Sequence, residues 1–583
     1  MSKTSVKSPP SPPSKVSSKS ASIVSQTKND SDEDEFKTKP DFIYGGPFIP
    51  VEKPSPLLGT STPINMPLQG TFKKSFAYYS LIERLPVILT KVIDYCSREA
   101  ASIKSSCGAS DQDLRAFIHY VSKLKNDLVT NKKYDLLQVD TPEAKKWNEW
   151  IQAAPNQYYF TNTWVFSECY VYRRLREGCE LNKTLANFDP FQEQKSQAFL
   201  GTVEPMCVVA DKLVTMLPES EKDKRKADFI TLIKICLWAN KCDLSLSVGN
   251  QVTLNGNETV NSAIMDPFQM ITDLKDKLLV DDTAKAADQI MTKAENMAKA
   301  IEGASVSIEA PPPAADGSEE QESPKVPCPA KMTIPQYVMF DIVCDNAGYE
   351  LYADLCLAYF LISQKIVQKV RFHVKKIPWF VSDVTPKDFR YVIEQCRKAN
   401  FSKTVPQAPK PDAVEGESPP QPVVVTADNL RRIGDQWAQF LEDGTFIVMC
   451  DDFWTSPHIF KDMKKYDYNL YRKLQFAVAV MFKGDLNYRK LLGERNCSSV
   501  LGFEAALQGF IPAPILAVRT VKAEIICGLP KGKWDQITKI DPDWMRTGDY
   551  GVIHFCAKAE PLKAADRPCP DYGDQCKGVV CPT

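Results

Sequence analysis

Two textures divide the chain. From about Phe72 to Leu200, aromatic and aliphatic residues recur at three- and four-residue intervals, in SFAYYSLIERLPVILTKVIDYCSREA, LRAFIHYVSKLKNDLV and WVFSECYVYRRLREGCEL. That period predicts amphipathic helices gathered into a bundle. In the third segment, Glu168, Arg173 and Arg174 read as a solvated or salt-bridged helix face. Two more helical stretches follow. DFITLIKICLWANKCDLSLS leads to Asn240 and Asp243, and NSAIMDPFQMITDLKDKLLVDDTAKAADQIMTKAENMAKAIEG reads as one long helix or two.

After Met332 the pattern becomes strand, polar end, helix, repeated. From Tyr337 to Phe360, YVMFDIVCDNAGYELYADLCLAYF, a nearly continuous apolar run predicts a strand buried on both faces. Asp345 and Asn346 stand where it ends, and Ala347-Gly348 makes the turn. Glu350 onward reads as a helix, with Leu351, Leu355, Ala358 and Leu361 at helical spacing. KVRFHVKKIPWFVSD predicts a second strand with an extension to Ser382-Asp383, before a helix in TPKDFRYVIEQCRKAN. TFIVMCDDFW stops at Asp451-Asp452, LQFAVAVMFKGD at Lys483-Gly484-Asp485, and ILAVRTVKAEIICGL contains Arg519, Thr520 and Lys522. The expected fold is α/β: an N-terminal helical bundle packed on a mostly parallel, helix-covered, Rossmann-like sheet domain. The polar ends then share one edge, where open α/β sheets take their ligands.

Composition marks what lies outside that fold. Residues 1–50, rich in Ser, Pro and Lys and then acidic, predict a disordered tail. Residues 305–330 and 403–424 are Pro-rich and predict disordered insertions, and 559–583 a C-terminal tail in which Cys569, Cys576 and Cys581 lack a fourth ligand. A mainly helical region at 51–304 and an α/β catalytic domain at 331–558 remain. The 583 residues carry a formal net charge of −1, which gives no reason to expect a nucleic-acid or membrane partner. No stretch is apolar enough to span a bilayer, no CxxC pair marks a zinc or redox site, and MSKTSVKSPPSPPSK lacks a signal-peptide core. A cytoplasmic protein with reduced thiols is expected, with a nuclear fraction left open.

The sheet edge offers Asp345, Asn346 and Asp383, with Asp451, Asp452 and Asp485 nearby, and the cations Lys483, Arg489, Arg519 and Lys522. Clustered carboxylates repel unless a cation joins them, and an all-oxygen set of Asp, Asn and Asp suits magnesium or manganese. Lysine and arginine across the same pocket suit a phosphate-bearing substrate. The phosphate loop GxxxxGK[ST], the dinucleotide turn GxGxxG and the DxDx[TV] nucleophile motif are absent from the sequence. The four histidines, His119, His373, His458 and His554, sit in aromatic or aliphatic contexts and read as packed. Metal-assisted phosphoryl chemistry with a water nucleophile is the reading that survives.

CDNAGYELYADLCLAYFL, KVRFHVKKIPWFVSDVT, MFKGDLNYRKL and VRTVKAEI, with WVFSECYVYRR and LWANKCDLSLS, carry a resemblance to a known family. The chain resembles the damage-control phosphatases, in the branch named acidic residue methyltransferase or sugar phosphate phosphatase. The likeness spans about residues 55 to 558 apart from the two Pro-rich insertions. It implies a phosphatase acting on sugar phosphates such as fructose 1-phosphate and fructose 6-phosphate, with cobalt, nickel or manganese. It also implies Asp345, Asn346 and Asp383 as catalytic residues and metal ligands. Implied substrate contacts are Asp345, Asn346, Glu350, Asp383, the run Asp485, Leu486, Asn487, Tyr488 and Arg489, and Lys522. Arg519, Thr520, Val521 and Lys522 match the branch's Arg-Thr-x-Lys signature. Glu350 or Asp383 is the candidate base. Ala239 stands where the family's WGN segment has glycine. The family name supplies an alternative, methyl transfer from S-adenosylmethionine to protein carboxylates, for which no glycine-rich cofactor turn is evident. A scaffold without activity is a third reading, against which the intact strand-end residues argue.

Overall fold

Every side chain of Met339–Val343 is buried, as a strand covered on both faces requires. The computed structural model of the chain describes residues 56–240, 266–309, 336–405 and 423–561. The predicted N-terminal tail, most of the C-terminal tail and of both Pro-rich insertions, and Asp243 lie outside the described residues. Among the described residues the strands are β1 (Leu278–Asp281), β2 (Met339–Val343), β3 (Lys369–His373), β4 (Ser402–Val405), β5 (Val423–Thr426), β6 (Phe446–Met449), β7 (Ala477–Lys483), β8 (Ile515–Thr520) and β9 (Gly551–Cys556). One sheet has the order β1-β9-β8-β7-β2-β3-β6. Its neighbours run parallel except β8 and β9, which are antiparallel. β4 and β5 pair antiparallel by themselves at the two ends of the second insertion. From β2 the chain steps outward through β3 and β6, then returns to the other side for β7 and β8. The strand order therefore reverses between β2 and β7, which defines the place where such sheets bind ligands.

The helices that matter to the site are α1 (Leu85–Arg98), α2 (Asp111–Val129), α3 (Trp164–Glu180), α4 (Val203–Met216), α5 (Lys222–Ala239), α6 (Thr283–Glu309), α7 (Tyr349–Ser363), α8 (Pro386–Arg397), α9 (Asp428–Glu442) and α10 (Gly484–Leu491). Local signals set their limits. α2 opens on a capping box between Ser110 and Asp113, and its Leu114, Phe117, Val121, Leu124 and Leu128 are buried at helical spacing. α8 begins the same way, with Thr385, Asp388 and Pro386 in its first turn.

Alternation along the strands feeds two cores. Ile515 and Ala517 of β8 join α1, α2 and α3 on one face of the sheet, while Leu516 and Val518 join α4, α5, α7, α8 and α9 on the other. The helices from Val203 to Met297 thus share a core with the α/β part, and the break at 304 separates no packed layers. Two expectations change here. The stretch read as one or two helices also contains Leu278–Asp281, which adds β1 beside β9, itself not expected as a strand. Of the two readings of Glu168, Arg173 and Arg174 the salt-bridged one holds and the solvated one does not, because α3 runs through the bundle interior: all three are buried, Arg173 pairs with Glu143 at 2.9 Å and Arg174 with Glu177 at 3.0 Å. No helix among the described residues is long and apolar enough to cross a membrane.

His554 on β9 is packed, with Nε2 3.1 Å from the Tyr488 hydroxyl and its ring stacked on Phe503. Burial, with Arg519 nearby, pushes its imidazole down to about 3. The folded state keeps it neutral while the unfolded chain takes a proton below about pH 6.5, so stability is lost as pH falls from there toward 3. Urea unfolding at pH 7 and pH 5 should show the unmodified chain losing about 2 kcal/mol more than His554→Phe over that interval. Equal losses would contradict this burial account.

Candidate active site

Beyond Val343 the chain runs along the carboxyl edge of the sheet, and the loop after β3 is bonded to it. The Ala347 N–H donates to the Ser382 carbonyl at 2.7 Å and the Val384 N–H to the Asp345 carbonyl at 2.9 Å. Asn346 and Asp383 form an antiparallel bridge, so the two distant stretches meet side by side. Phe380 and Val381, just ahead of Asp383, hold φ values of 46° and 70°. An aromatic and a β-branched residue resist that left-handed conformation. Packing imposes it: Phe380 stacks on Tyr172 of α3 with ring centroids 4.7 Å apart. On the other side, the end of β7 reaches Asp345 only because residue 484 is glycine. Its φ is 81°, and a Cβ there would come 1.8 Å from Asp345 Oδ2.

Behind these residues lies a buried charge network. The Lys483 ammonium donates to Asp354 Oδ1 at 2.7 Å and to the Cys236 carbonyl at 3.0 Å, and pairs with Glu350 Oε1 at 3.0 Å. Burial, reinforced by Glu350, holds the Asp354 carboxyl up at about 6 against the pull of Lys483. Burial disfavours the Lys483 charge, but Asp354 and Glu350 outweigh it and raise its pKa. Glu350 Oε2 accepts from the Asn240 amide at 2.7 Å and from the Asn346 amide at 2.8 Å. Both amides also reach Asp345 Oδ2, at 2.8 and 3.0 Å. Asn346 Oδ1 accepts from the Ser382 hydroxyl at 2.5 Å. Asp383 pairs with buried Lys375 at 3.2 Å.

A cleft lies in front, enclosing about 410 Å³ when its open solvent-facing space is included. Asp345, Asp383, Asp485, Leu486, Arg489 and Lys522 line it from the sheet edge. Other residues implied by the resemblance sit behind it. The Tyr488 hydroxyl turns away toward Cys527 and His554, and the Asn487 amide donates to the Lys483 carbonyl at 2.8 Å. Glu350, Thr520 and Val521 are buried in the layer beneath. Arg519 lies over the Tyr488 ring and donates to Asp485 Oδ1 at 2.7 Å, orienting that carboxylate.

The opposite wall was not visible in the sequence. Phe76, Arg84 and Trp164 of the helical bundle complete the cavity with Phe380. Arg84 closes a π-helical turn, Ser80–Arg84, that precedes Pro86, a residue with no N–H to continue ordinary helix bonding backward. Glu168 accepts from Arg84 through one oxygen and from Arg489 at 2.8 Å through the other. Arg489 also forks onto Glu494, at 2.8 and 3.1 Å, and its guanidinium lies 3.4 Å over the Trp164 ring.

Asp345 and Asp383 bring carboxylate oxygens to the cavity, the Asn346 amide stands behind them with its oxygen accepting from Ser382, and the lack of a side chain at Gly484 leaves room for the Asp345 carboxylate itself. Such donors fit a hard divalent cation. Among the described residues no group of three or more His, Cys, Asp or Glu side chains is placed to hold a metal. This set has two carboxylates and an amide.

A family model described as the damage-control phosphatase ARMT1-like domain matches residues 80–301 and 331–537. Damage-control phosphatase ARMT1 of Danio rerio is 33% identical over 500 residues, covering 84% of this chain and 96% of the relative. The protein of the same description from Homo sapiens is 32% identical over 500 residues, covering 84% and 98%. This chain belongs to the ARMT1-like damage-control phosphatase family. Membership supports a phosphatase activity in metabolite damage control. A solved DUF89 family protein from Pyrococcus horikoshii covers 76% of this chain and 95% of its own length, at 14% identity and a TM-score of 0.31.

In this family member, Ala239 ends α5 fully buried, and Asn240 follows in ordinary helical conformation. Asn240, Arg84, Trp164 and Glu168 are the site residues that sequence reasoning did not assign. The signal for Asn240 was available, a polar residue closing an apolar helix. For the bundle residues there was none, since the hydrogen bonds at Glu168 join segments 84 and 321 residues apart.

Gly484→Ala should shift Asp345 and lower phosphatase turnover by about 100-fold or more, as ångström-scale misplacement does. Steady-state kinetics on the folded variant, checked by circular dichroism, measures this. Turnover near that of the unmodified chain would show that the close approach at Gly484 is dispensable.

Proposed function

We propose that this chain is a divalent-metal-dependent phosphomonoesterase that hydrolyses sugar phosphates, with fructose 1-phosphate and fructose 6-phosphate as the first substrates to try. One observation carries the reading: Asp345 and Asp383, brought together by the Asn346–Asp383 bridge, line one cavity with Lys522 and Arg489. Oxygen donors and cations lining the same cavity are what a metal-bound phosphate monoester requires.

Asp345, Asn346 and Asp383 would hold the ion, with manganese, cobalt or nickel preferred and magnesium acceptable to the same donors. When bound, it supplies Lewis-acid polarisation of a phosphoryl oxygen and a lowered pKa for water. The remaining work belongs to the chain. Lys522 attracts the phosphoryl dianion and offsets charge developing on it. Arg489, immobilised by Glu168, Glu494 and Trp164, lines the cavity with its charge shared by two carboxylates, and Arg84 lines it beside the same Glu168. Asp485, held by Arg519 and by the Lys522 N–H at 3.3 Å, points into the same space. Of the two candidate bases, Asp383 lines the cavity, whereas both oxygens of Glu350 are engaged behind it by Lys483, Asn240 and Asn346. Phe76, Trp164 and Phe380 form an apolar wall that displaces water from the sugar side.

Asp383→Ala should abolish metal-dependent hydrolysis of fructose 1-phosphate and leave the bundle folded, as read by released phosphate and by thermal unfolding. Retained turnover at saturating manganese would refute the ligand assignment. Parallel incubation with labelled S-adenosylmethionine should give no methylated protein; label transfer without phosphate release would favour the methyltransferase reading instead.

A further inference from the structure

We infer that Asn240 and Thr520 act as a positioning pair for the acidic side of the site, an inference that rests on the reading of Asp345 as a cation ligand. Asn240 follows α5, is 1% exposed and does not line the cavity. Its amide nitrogen donates to Asp345 Oδ2 at 2.8 Å and to Glu350 Oε2 at 2.7 Å. Its backbone carbonyl accepts from Lys522 Nζ at 3.0 Å. One residue therefore touches an acidic group of the cation site with its side chain and the phosphate-facing lysine with its main chain. The separation between the two is set by a helix end that contacts neither metal nor substrate.

A primary amide has one donor end and one acceptor end. Turned over, the Asn240 side chain would set its oxygen against two carboxylates, and nothing on Asp345 or Glu350 in their charged forms could donate to it. The two carboxylates exclude that alternative, and Thr520 holds the orientation they select: its hydroxyl donates to Asn240 Oδ1, satisfying the buried oxygen and pinning the amide with its nitrogen toward Asp345 and Glu350. This gives the threonine of the Arg519-Thr520-Val521-Lys522 run a physical task. Its hydroxyl, fully buried at the end of β8, orients an amide from α5, which in turn orients a carboxylate at the end of β2. Partners that orient metal-binding groups in this way typically change affinity by about 10- to 100-fold when removed.

The isosteric change Thr520→Val deletes the hydroxyl and keeps the side-chain shape, and Thr520→Ser restores the donor. Titration of the full chain with Mn2+ alone, read by electron paramagnetic resonance, should show affinity about tenfold or more weaker in Thr520→Val and largely recovered in Thr520→Ser. Thermal midpoints of the two variants should agree, separating the effect from general destabilisation. Thr520→Val binding Mn2+ as tightly as the unmodified chain would overturn the inference, as would a folded Thr520→Ser chain that fails to recover. Absence of Mn2+ uptake by the unmodified chain is a separate failure. It would overturn the cation reading on which the pair depends.

Discussion

Burying negative charge at the end of β2 is the constraint that shapes this site. Asp345, Glu350 and Asp354 are each no more than 5% exposed, along the end of one strand and the first turns of one helix. Uncompensated, such a group of carboxylates would either take up protons or open the fold. Lys483 answers two of them from β7, and the amides of Asn240 and Asn346 answer Asp345 and Glu350. Each partner comes from a different element, so the balance of charge also fixes where β2, β7 and α5 end relative to one another. Gly484 is part of the same solution, since a side chain there would occupy the position of the Asp345 carboxylate.

The helical bundle is as much a part of the site as the sheet. α3 alone contributes Trp164 under the Arg489 guanidinium, Glu168 between Arg84 and Arg489, and Tyr172 against Phe380. The last contact supports the left-handed turn that carries Asp383 back to Asn346. Packing energy in the bundle thus holds a strained loop in place, and through it the second carboxylate of the cavity. The same scaffold pairs opposite charges around the cavity: Lys375 with Asp383, Arg519 with Asp485, and Arg84 and Arg489 with Glu168 of α3.

Much of this was legible in the sequence for a physical reason. β2, β6, β7 and β8 are mainly apolar runs followed within a few residues by charged ones, the pattern of strands buried on both faces, and β3 leads on to Asp383 through its extension. Asp345, Asp383, Asp485 and Lys522 were readable as strand-end groups by that rule. β1 and β9 were not, because LLVD is a four-residue edge strand between helical stretches and GVIHFC carries a histidine whose burial depends on Tyr488 and Phe503. Tyr488 reads as a site residue from its neighbours in the chain, yet helical geometry turns it to the core while Arg489 turns to the cavity. The roles of Arg84, Trp164 and Glu168 depend on tertiary contact alone.

The central claim, that Asp345, Asn346 and Asp383 converge on one cation facing Lys522, is tested most directly by anomalous diffraction from crystals of the chain grown with Mn2+. The account predicts a single strong anomalous peak within coordinating reach of all three side chains, on the Lys522 side of the cavity. A peak held by other residues, or none at saturating Mn2+, would contradict it.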